Sequence, residues 1–172
     1  MAESIAFSKT GDRKTVYAEI TPQIEALVTG ETDLIANLAN ITAVLKEAFD
    51  FFWVGFYLVK DGQLVLGPFQ GPLACTRIKF GEGVCGHGYS TRETVIVPNV
   101  DEFAGHIACS SAARSEIVVP LFDADGAVVA VLDVDSDRIS DFSDVDSDGL
   151  EKIAAIAANT FCVENSVNTQ LN

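Results

Sequence analysis

The sequence predicts a single α+β domain, in which a mostly antiparallel β-sheet is flanked by N-terminal and C-terminal helices. Apolar residues recur every three or four positions near both ends of the chain, a pattern typical of amphipathic helices. Between these ends, β-branched and aromatic runs adjoin two hairpin signals, Asp61-Gly62 and the turn Asp123–Gly126. Consecutive hairpins favour antiparallel pairing, and helices confined to the chain ends favour packing on one side of the sheet.

The helices are predicted from periodicity together with their start and stop signals. The first covers residues 15–27 and ends near Gly30, and the second covers residues 32–49. The last begins at Ser143, which has Asp146 three residues on as in a capping box, and it runs to about Val163. These limits place the domain at residues 15–163, between an N-terminal tail of residues 1–14 and a C-terminal tail of residues 164–172.

The strands are predicted where the pattern changes to aromatic and β-branched runs. They cover residues 51–60, 63–69, 76–80, 94–97, 116–122 and 127–134. A glycine-rich loop over residues 81–92 is expected to run into one short helix. Residues 99–111 are predicted to form a long loop.

Composition excludes several classes of partner. The 172 residues include 11 basic and 25 acidic side chains, for a net charge of −14. This field repels phosphate backbones and anionic lipid surfaces, so we expect neither nucleic acid nor membrane as a partner. We see no secretory signal and no apolar run near the ~20 residues that span a bilayer. The expected location is therefore the cytoplasm, where thiols are kept reduced.

Three cysteines and three carboxylates are concentrated in the middle of the chain. They are Cys75, Cys85, Cys109, Glu116, Asp133 and Asp135. A chain of this length buries an adequate core without disulfides, so clustered thiols in a cytoplasmic protein indicate chemistry. Thiol redox chemistry on a small, polar, sulfur-containing substrate is the interpretation that we favour.

The two aspartates are expected to share one face of a strand. Asp133 and Asp135 are separated by one residue at the end of an apolar strand, and alternate residues of a strand point the same way. The ordinary interpretation is a strand that emerges into solvent. If the face instead lines a cavity with Glu116 from the paired strand, the three carboxylates converge and raise one another's pKa values. Such a group donates a proton near neutral pH or receives a substrate ammonium group.

Other motifs are weak. The segment Gly81–Gly86 matches G-x-G-x-x-G, but a hairpin precedes it and no long helix follows, which argues against a dinucleotide site. The segment Asp144–Gly149 copies half of a calcium loop, yet the closing position is Ala155. We interpret it as the acidic start of a helix. Cys162 is interpreted as a small buried hydrophobe.

Zinc fits the sequence better than calcium does, although we expect no metal. Its ligands would be Cys75, Cys85, His87 and Cys109, but their spacing is not that of a structural zinc site. His87 and His106 are otherwise interpreted as solvated loop residues. His106 is three residues from Cys109, close enough in the chain for a local influence on that thiol.

Taken together, several segments resemble one family. They are the three cysteines, Ser115–Pro120, Val131–Ser136, Phe51–Tyr57 and Gly67–Pro72. This pattern is similar to that of the free methionine-(R)-sulfoxide reductases, which are single GAF domains. The resemblance covers about residues 15–160, and the cysteine set is specific, since most GAF domains are ligand sensors without it.

The resemblance implies a role for each matching position. Cys109 corresponds to the nucleophile, Cys75 to the resolving cysteine, and Cys85 to a further cysteine that pairs with Cys109 or acts as a relay. The carboxylates Glu116, Asp133 and Asp135 correspond to residues that bind the substrate and assist departure of its oxygen. Trp53 corresponds to an aromatic wall for the substrate methyl group.

The resemblance also implies a reaction cycle. Free methionine-(R)-sulfoxide is reduced through a cysteine sulfenic acid and an intramolecular disulfide. Thioredoxin recycles the disulfide with NADPH and thioredoxin reductase, and no bound cofactor is needed. A homodimer is an expectation of the same kind. The alternatives are a non-catalytic GAF sensor of a small ligand and a thiol redox sensor, which would need no carboxylates.

Overall fold

The computed structural model describes residues 4–107 and 111–168, with side chains through residue 161. Its helices and strands, in chain order, are α1 Arg13–Val28, α2 Leu34–Phe49, β1 Trp53–Lys60, β2 Gln63–Gln70, β3 Arg77–Lys79, α3 Gly83–Thr91, β4 Val95–Val97, β5 Ser115–Phe122, β6 Val128–Ser136 and α4 Asp144–Asn168. A short 3-10 turn covers Val100–Glu102. Most elements lie within two or three residues of their predicted bounds, except that α4 extends past Val163.

The strands form one six-stranded sheet in the order β3-β2-β1-β6-β5-β4. Each neighbouring pair is antiparallel, which confirms the predicted α+β fold class. Both hairpins are present. Asp61 and Gly62 have φ of 52° and 74°, the two positive values that a type I′ turn requires.

Side-chain caps fix where the helices begin. Asp12 accepts a hydrogen bond from the backbone N–H of Thr15 at 2.8 Å, and Asp33 accepts one from Ala36 at 2.8 Å. At α4, the backbone N–H of Ser143 donates to the Asp146 carboxylate at 2.9 Å, as the predicted cap requires. The acidic segment Asp144–Gly149 is the first part of α4, in agreement with its interpretation as a helix start.

The two faces of the sheet carry separate apolar cores. Helices α1, α2 and α4 pack on one face of the sheet, against buried residues of β1, β5 and β6 such as Phe56, Val119 and Leu132. Helix α3 packs on the opposite face, where Val84 and Cys85 join a smaller cluster. The terminal helices therefore lie on one side of the sheet, as predicted, and the short helix expected after the glycine-rich loop is α3, which packs on the other side.

The N-terminal segment packs on the helical side. Ile5 and Phe7 lie against the larger core, and the backbone N–H of Ala6 donates to Gln23 Oε1 at 2.9 Å. These contacts order residues that the sequence assigns to a tail. Within the described ranges, no helix is long and apolar enough to cross a bilayer.

Helices α1 and α4 approach each other most closely at Gly149. The ring of Tyr17 on α1 occupies the space where a Cβ at Gly149 would lie. Beside it, the Tyr17 hydroxyl donates to Asp146 Oδ1 at 3.2 Å, and the Arg13 guanidinium contacts the same oxygen at 2.9 Å. Asp146 is buried, so this polar cluster joins the two helices through an ion pair within the core.

We expect Gly149→Ala to lower the free energy of unfolding by about 1–3 kcal/mol, because the added methyl group overlaps the Tyr17 ring. Alanine's higher helix propensity offsets at most about 1 kcal/mol of this loss. Urea denaturation measures the difference.

The control is Ala155→Gly, at an exposed position of the same helix. It should cost about 1 kcal/mol through propensity alone. A Gly149→Ala protein as stable as the parent would contradict the close contact between α1 and α4.

Candidate active site

The strand register brings the three predicted carboxylates together on the face that carries α3. Glu116 on β5 lies directly opposite Asp135 on β6, and Asp133 lies opposite Val118. On the other side of β6, Asp135 is paired with Trp53 of β1 and Asp133 with Gly55. The predicted convergence of the carboxylates on one strand face is present.

Helix α3 supplies the thiol that covers these carboxylates. Cys85 lies in its first turn, and its Sγ is 3.9 Å from Glu116 Oε1. The helix sits close to the sheet because Gly86 has no side chain, and any Cβ there would overlap the carbonyl oxygen of Lys79. The glycine-rich segment thus forms a close-packed helix, whereas the sequence predicted mainly a loop around Cys85.

An aromatic wall forms one side of the site. Trp53 stacks on Phe69 with ring centroids 5.4 Å apart and on Tyr57 at 6.0 Å. Its indole N–H donates to the carbonyl oxygen of Pro72 at 3.1 Å. The ring lies over Gly55, where any Cβ would overlap it. Trp53 is therefore held rigidly beside the carboxylates, as the predicted wall requires.

These groups enclose a small cavity of about 30 Å³. Its lining includes Trp53, Tyr57, Cys85, His106, Glu116 and Asp133. This volume holds about one water molecule. Asp135, Leu73 and Ile107 also line the cavity.

Burial dominates the electrostatics of the carboxylates. Burial raises the pKa of Asp133 to about 6, although the Cys85 thiol and Glu116 hydrogen-bond to it and lower the value. Burial also raises the pKa of Glu116 well above its ordinary range, and the charges of Asp133 and Asp135 raise it further. The pKa of Asp135 rises through burial and the charge of Asp133. At neutral pH the site therefore accommodates one ionised carboxylate more readily than three.

The hydrogen bonding of the Asp133 carboxylate is incomplete among the described residues. Its Oδ1 atom is buried without a hydrogen-bond partner among the described residues. A buried carboxylate oxygen without a partner is costly, and such atoms in native proteins are expected to have a functional explanation. The atom provides an acceptor for a cationic or protic ligand.

The cysteines have different states. Cys75, between β2 and β3, is disulfide-bonded, whereas Cys85 is a free, buried thiol and so is not its partner. Burial and the charge of Asp133 raise the pKa of Cys85. The Tyr57 hydroxyl donates to the carbonyl oxygen of Cys75 at 3.0 Å, which joins the disulfide-bearing loop to the cavity. Cys109 lies outside the described residues, as does the side chain of Cys162.

The two histidines differ. His106 Nε2 is 4.0 Å from Glu116 Oε2, and burial lowers the pKa of His106. His87 is exposed on α3, with its ring edge against Phe103. The zinc set that the sequence offered is therefore not assembled, since His87 points away from the cavity and Cys75 is disulfide-bonded.

Sequence reasoning missed Tyr57 and gave His106 no place in the site. Tyr57 follows Trp53 by four residues on the same strand, so the two-residue period of β1 already placed it on the Trp53 face. The contact of His106 with Glu116 joins a loop to a distant strand, and no local pattern predicts it. Both residues line the cavity.

The geometry agrees with the comparison to known proteins. Residues 31–161 match the GAF domain family. The chain is 54% identical over 160 residues to "GAF domain-containing protein A" of Dictyostelium discoideum, an alignment that covers 92% of this chain and all of the relative. It is 45% identical over 140 residues to the free methionine-R-sulfoxide reductase of Escherichia coli, covering 81% of this chain and 84% of that enzyme.

A solved structure extends the likeness. The free methionine-R-sulfoxide reductase of Neisseria meningitidis, in complex with its substrate, superposes with a TM-score of 0.93 at 51% identity. The match covers 96% of this chain and 99% of that one. With its antiparallel sheet, converging carboxylates and paired cysteine, the chain belongs to the free methionine-R-sulfoxide reductase family of GAF-domain oxidoreductases.

Proposed function

We propose that this protein reduces free L-methionine-(R)-sulfoxide to L-methionine with its own thiols. The observation that carries the proposal is the carboxylate cluster of buried Glu116 and Asp133 with half-buried Asp135, which lies beside Trp53 and near the loop of disulfide-bonded Cys75. The membership in the reductase family supports the same conclusion.

The carboxylates are suited to recognise the substrate's ammonium group. Asp133 has a buried oxygen without a partner, and three acids lie within reach of one cavity. An ammonium group offers three donors and a positive charge, which satisfy such acceptors. A methionine sulfoxide within a peptide lacks this group, so the cluster favours the free amino acid. Trp53 receives the methyl group through its apolar ring face.

Glu116 is the proposed proton donor. A sulfoxide oxygen leaves readily only after it is protonated, and a carboxyl group that stays protonated near neutral pH is the acid that the step needs. Burial and the charges of Asp133 and Asp135 raise the pKa of Glu116 in this way. The remaining carboxylate charge stabilises the positive charge that develops on sulfur.

Cys109 is the proposed nucleophile. Its thiol attacks the sulfoxide sulfur; the sulfur–oxygen bond breaks, methionine leaves, and Cys109 becomes a sulfenic acid. The Cys75 thiol condenses with that sulfenic acid, which releases water and forms a disulfide. The disulfide-bonded state of Cys75 supports its resolving role. A dithiol protein such as thioredoxin then reduces the disulfide by exchange, at the expense of NADPH through thioredoxin reductase.

Cys85 is less suited to a nucleophilic step. It is buried and free, and burial together with the Asp133 and Glu116 charges raises the pKa of its thiol. A thiolate is the nucleophilic form, so this environment disfavours attack by Cys85. Its position against Glu116 supports a place in the pocket wall instead of the second disulfide or relay that the resemblance implied.

If Cys109 attacks a substrate held by these carboxylates, their charge disfavours its thiolate. We infer that the bound ammonium group offsets this charge, so that substrate binding and thiol activation are linked. The cytoplasmic location and the homodimer remain predictions. So does the expectation that the enzyme holds no cofactor.

The direct test is NADPH oxidation coupled to thioredoxin and thioredoxin reductase. We expect turnover with free methionine-(R)-sulfoxide and none with the (S) epimer or the N-acetylated (R) substrate. Cys109→Ser should abolish methionine formation even in a single turnover, because it removes the nucleophile. Cys75→Ser should still release about one methionine per protein and then stop, because the sulfenic acid has no resolving partner.

The control is Cys162→Ser, which alters a cysteine to which the proposal gives no role. Absence of turnover with all three substrates, using fully reduced protein, would overturn the reductase assignment and favour a ligand or redox sensor. Full activity of Cys109→Ser would show instead that the nucleophile is wrongly assigned.

The carboxylates separate a reductase from a redox sensor. Glu116→Gln keeps the shape of the side chain but removes its acid, so we expect kcat to fall by about 10²–10⁴-fold. In the parent, kcat should fall as pH rises through the raised pKa of Glu116, because the acid form is lost. Steady-state kinetics over a pH series measures both effects.

The matched control is Glu82→Gln, on the exposed residue that precedes α3. It should leave kcat unchanged. Peroxide-driven formation of the Cys75 disulfide should also be unchanged in Glu116→Gln. A Glu116→Gln protein with parental kcat would rule out Glu116 as the proton donor.

A further inference from the structure

We infer that Cys85, Glu116, Asp133 and His106 form a binding site for Zn²⁺, which excludes the substrate from the pocket. The first three residues each offer one ligand atom, and these atoms lie within 4.8 Å of one another. All three residues are buried, and each comes from a different element: α3, β5 and β6. The grouping is therefore fixed by the fold, unlike a cluster of acids on a flexible surface.

The distances are close to those of a tetrahedral zinc site. Cys85 Sγ is 3.9 Å from Glu116 Oε1, and His106 Nε2 is 4.0 Å from Glu116 Oε2. Ligand atoms about 2.0–2.3 Å from a tetrahedral zinc ion are roughly 3.3–3.7 Å apart. The ligand atoms of Cys85, Glu116 and Asp133 lie within 4.8 Å of one another, so a bound ion would draw them together by up to about 1 Å, and His106 would complete the set from its contact with Glu116.

An independent observation points to a ligand at this place. Asp133 is only 6% exposed, and its Oδ1 atom has no hydrogen-bond partner among the described residues. The atom belongs to the same carboxylate that faces Cys85 and Glu116. A metal ion would satisfy it, and the combined charge of a thiolate and two carboxylates would offset the charge of the ion.

The cavity has the size for a single ion. All four residues line it, and its volume is about 30 Å³, close to that of one water molecule. A single ion is smaller than the substrate, and the ligand atoms of Cys85, Glu116 and Asp133 already face one another there. A set with one sulfur, one imidazole and two carboxylates suits Zn²⁺, because calcium and magnesium require oxygen ligands.

Zinc at this position acts as an inhibitor and not as a cofactor. The ion would occupy Asp133, which receives the substrate ammonium group, and Glu116, which donates a proton to the sulfoxide oxygen, so the two ligands exclude each other. This regulatory consequence rests on the proposed function, whereas metal binding itself does not. The ligand set also differs from the one that sequence spacing offered, since only Cys85 is shared between them.

The test uses Co²⁺ as a spectroscopic substitute for Zn²⁺ in a protein whose only thiol is Cys85. The changes Cys75→Ser, Cys109→Ser and Cys162→Ser produce it, and circular dichroism checks its fold. We expect a near-ultraviolet sulfur-to-cobalt charge-transfer band that is bleached by Zn²⁺. Further change of Cys85→Ser should remove the band, and His106→Ala should weaken Co²⁺ binding at least about 10-fold. His87→Ala, on the exposed histidine of α3, is the control and should bind as the parent does.

Absence of the band in the folded single-thiol protein would overturn the metal site. Competition between methionine sulfoxide and Co²⁺ then tests whether the two bind at the same position, and this measurement requires no turnover. Free methionine-(R)-sulfoxide should displace Co²⁺, whereas the N-acetylated form should not. If the band persists at saturating sulfoxide, the claim of mutual exclusion is wrong. Because this protein lacks Cys109, these outcomes are independent of whether the parent protein turns over.

Discussion

The position of β6 between β1 and β5 is the constraint on which the rest of the structure depends. Its alternate residues point to opposite faces, so Leu132 and Val134 enter the helical core while Asp133 and Asp135 enter the pocket. A slip of one residue would bury both carboxylates among α1, α2 and α4 and remove two apolar residues from that core. The core that stabilises the sheet therefore also fixes the register of the site.

The apolar core stabilises the fold, whereas the buried ionisable groups of the site destabilise it. The helical face buries a large apolar cluster, whereas the other face buries two acids and a thiol, with the half-buried Asp135 beside them. Burial raises the pKa values of Glu116 and Asp133, so ionising them costs stability as pH rises above the values of the unfolded chain. A cationic ligand reverses this cost. The same electrostatics that destabilise the free site thus provide its affinity for an ammonium group or a metal ion.

How far the sequence predicts this arrangement depends on whether the signal is local. The alternation at Asp133 and Asp135 is local, and it correctly placed both on one face, whereas their convergence with Glu116 was one of two alternatives that the sequence left open. No local signal predicts the side of the sheet on which α3 lies. Three glycines weaken the helical pattern of its sequence, and the contact that fixes its position, that of Gly86 with β3, is tertiary. Likewise, His106 reaches Glu116 through tertiary structure alone. The role of Cys109 stays a prediction.

The central claim is that the buried acids receive the ammonium group of a free amino acid. Calorimetric titration of Cys109→Ser with methionine-(R)-sulfoxide, in two buffers of different ionisation enthalpy near about pH 6, tests it most directly. Asp133 titrates near this pH, and an ammonium group beside it lowers its pKa, so binding should release protons. The N-acetylated substrate should bind weakly and release none. Equal binding of both ligands, with a heat that does not depend on the buffer, would contradict the account.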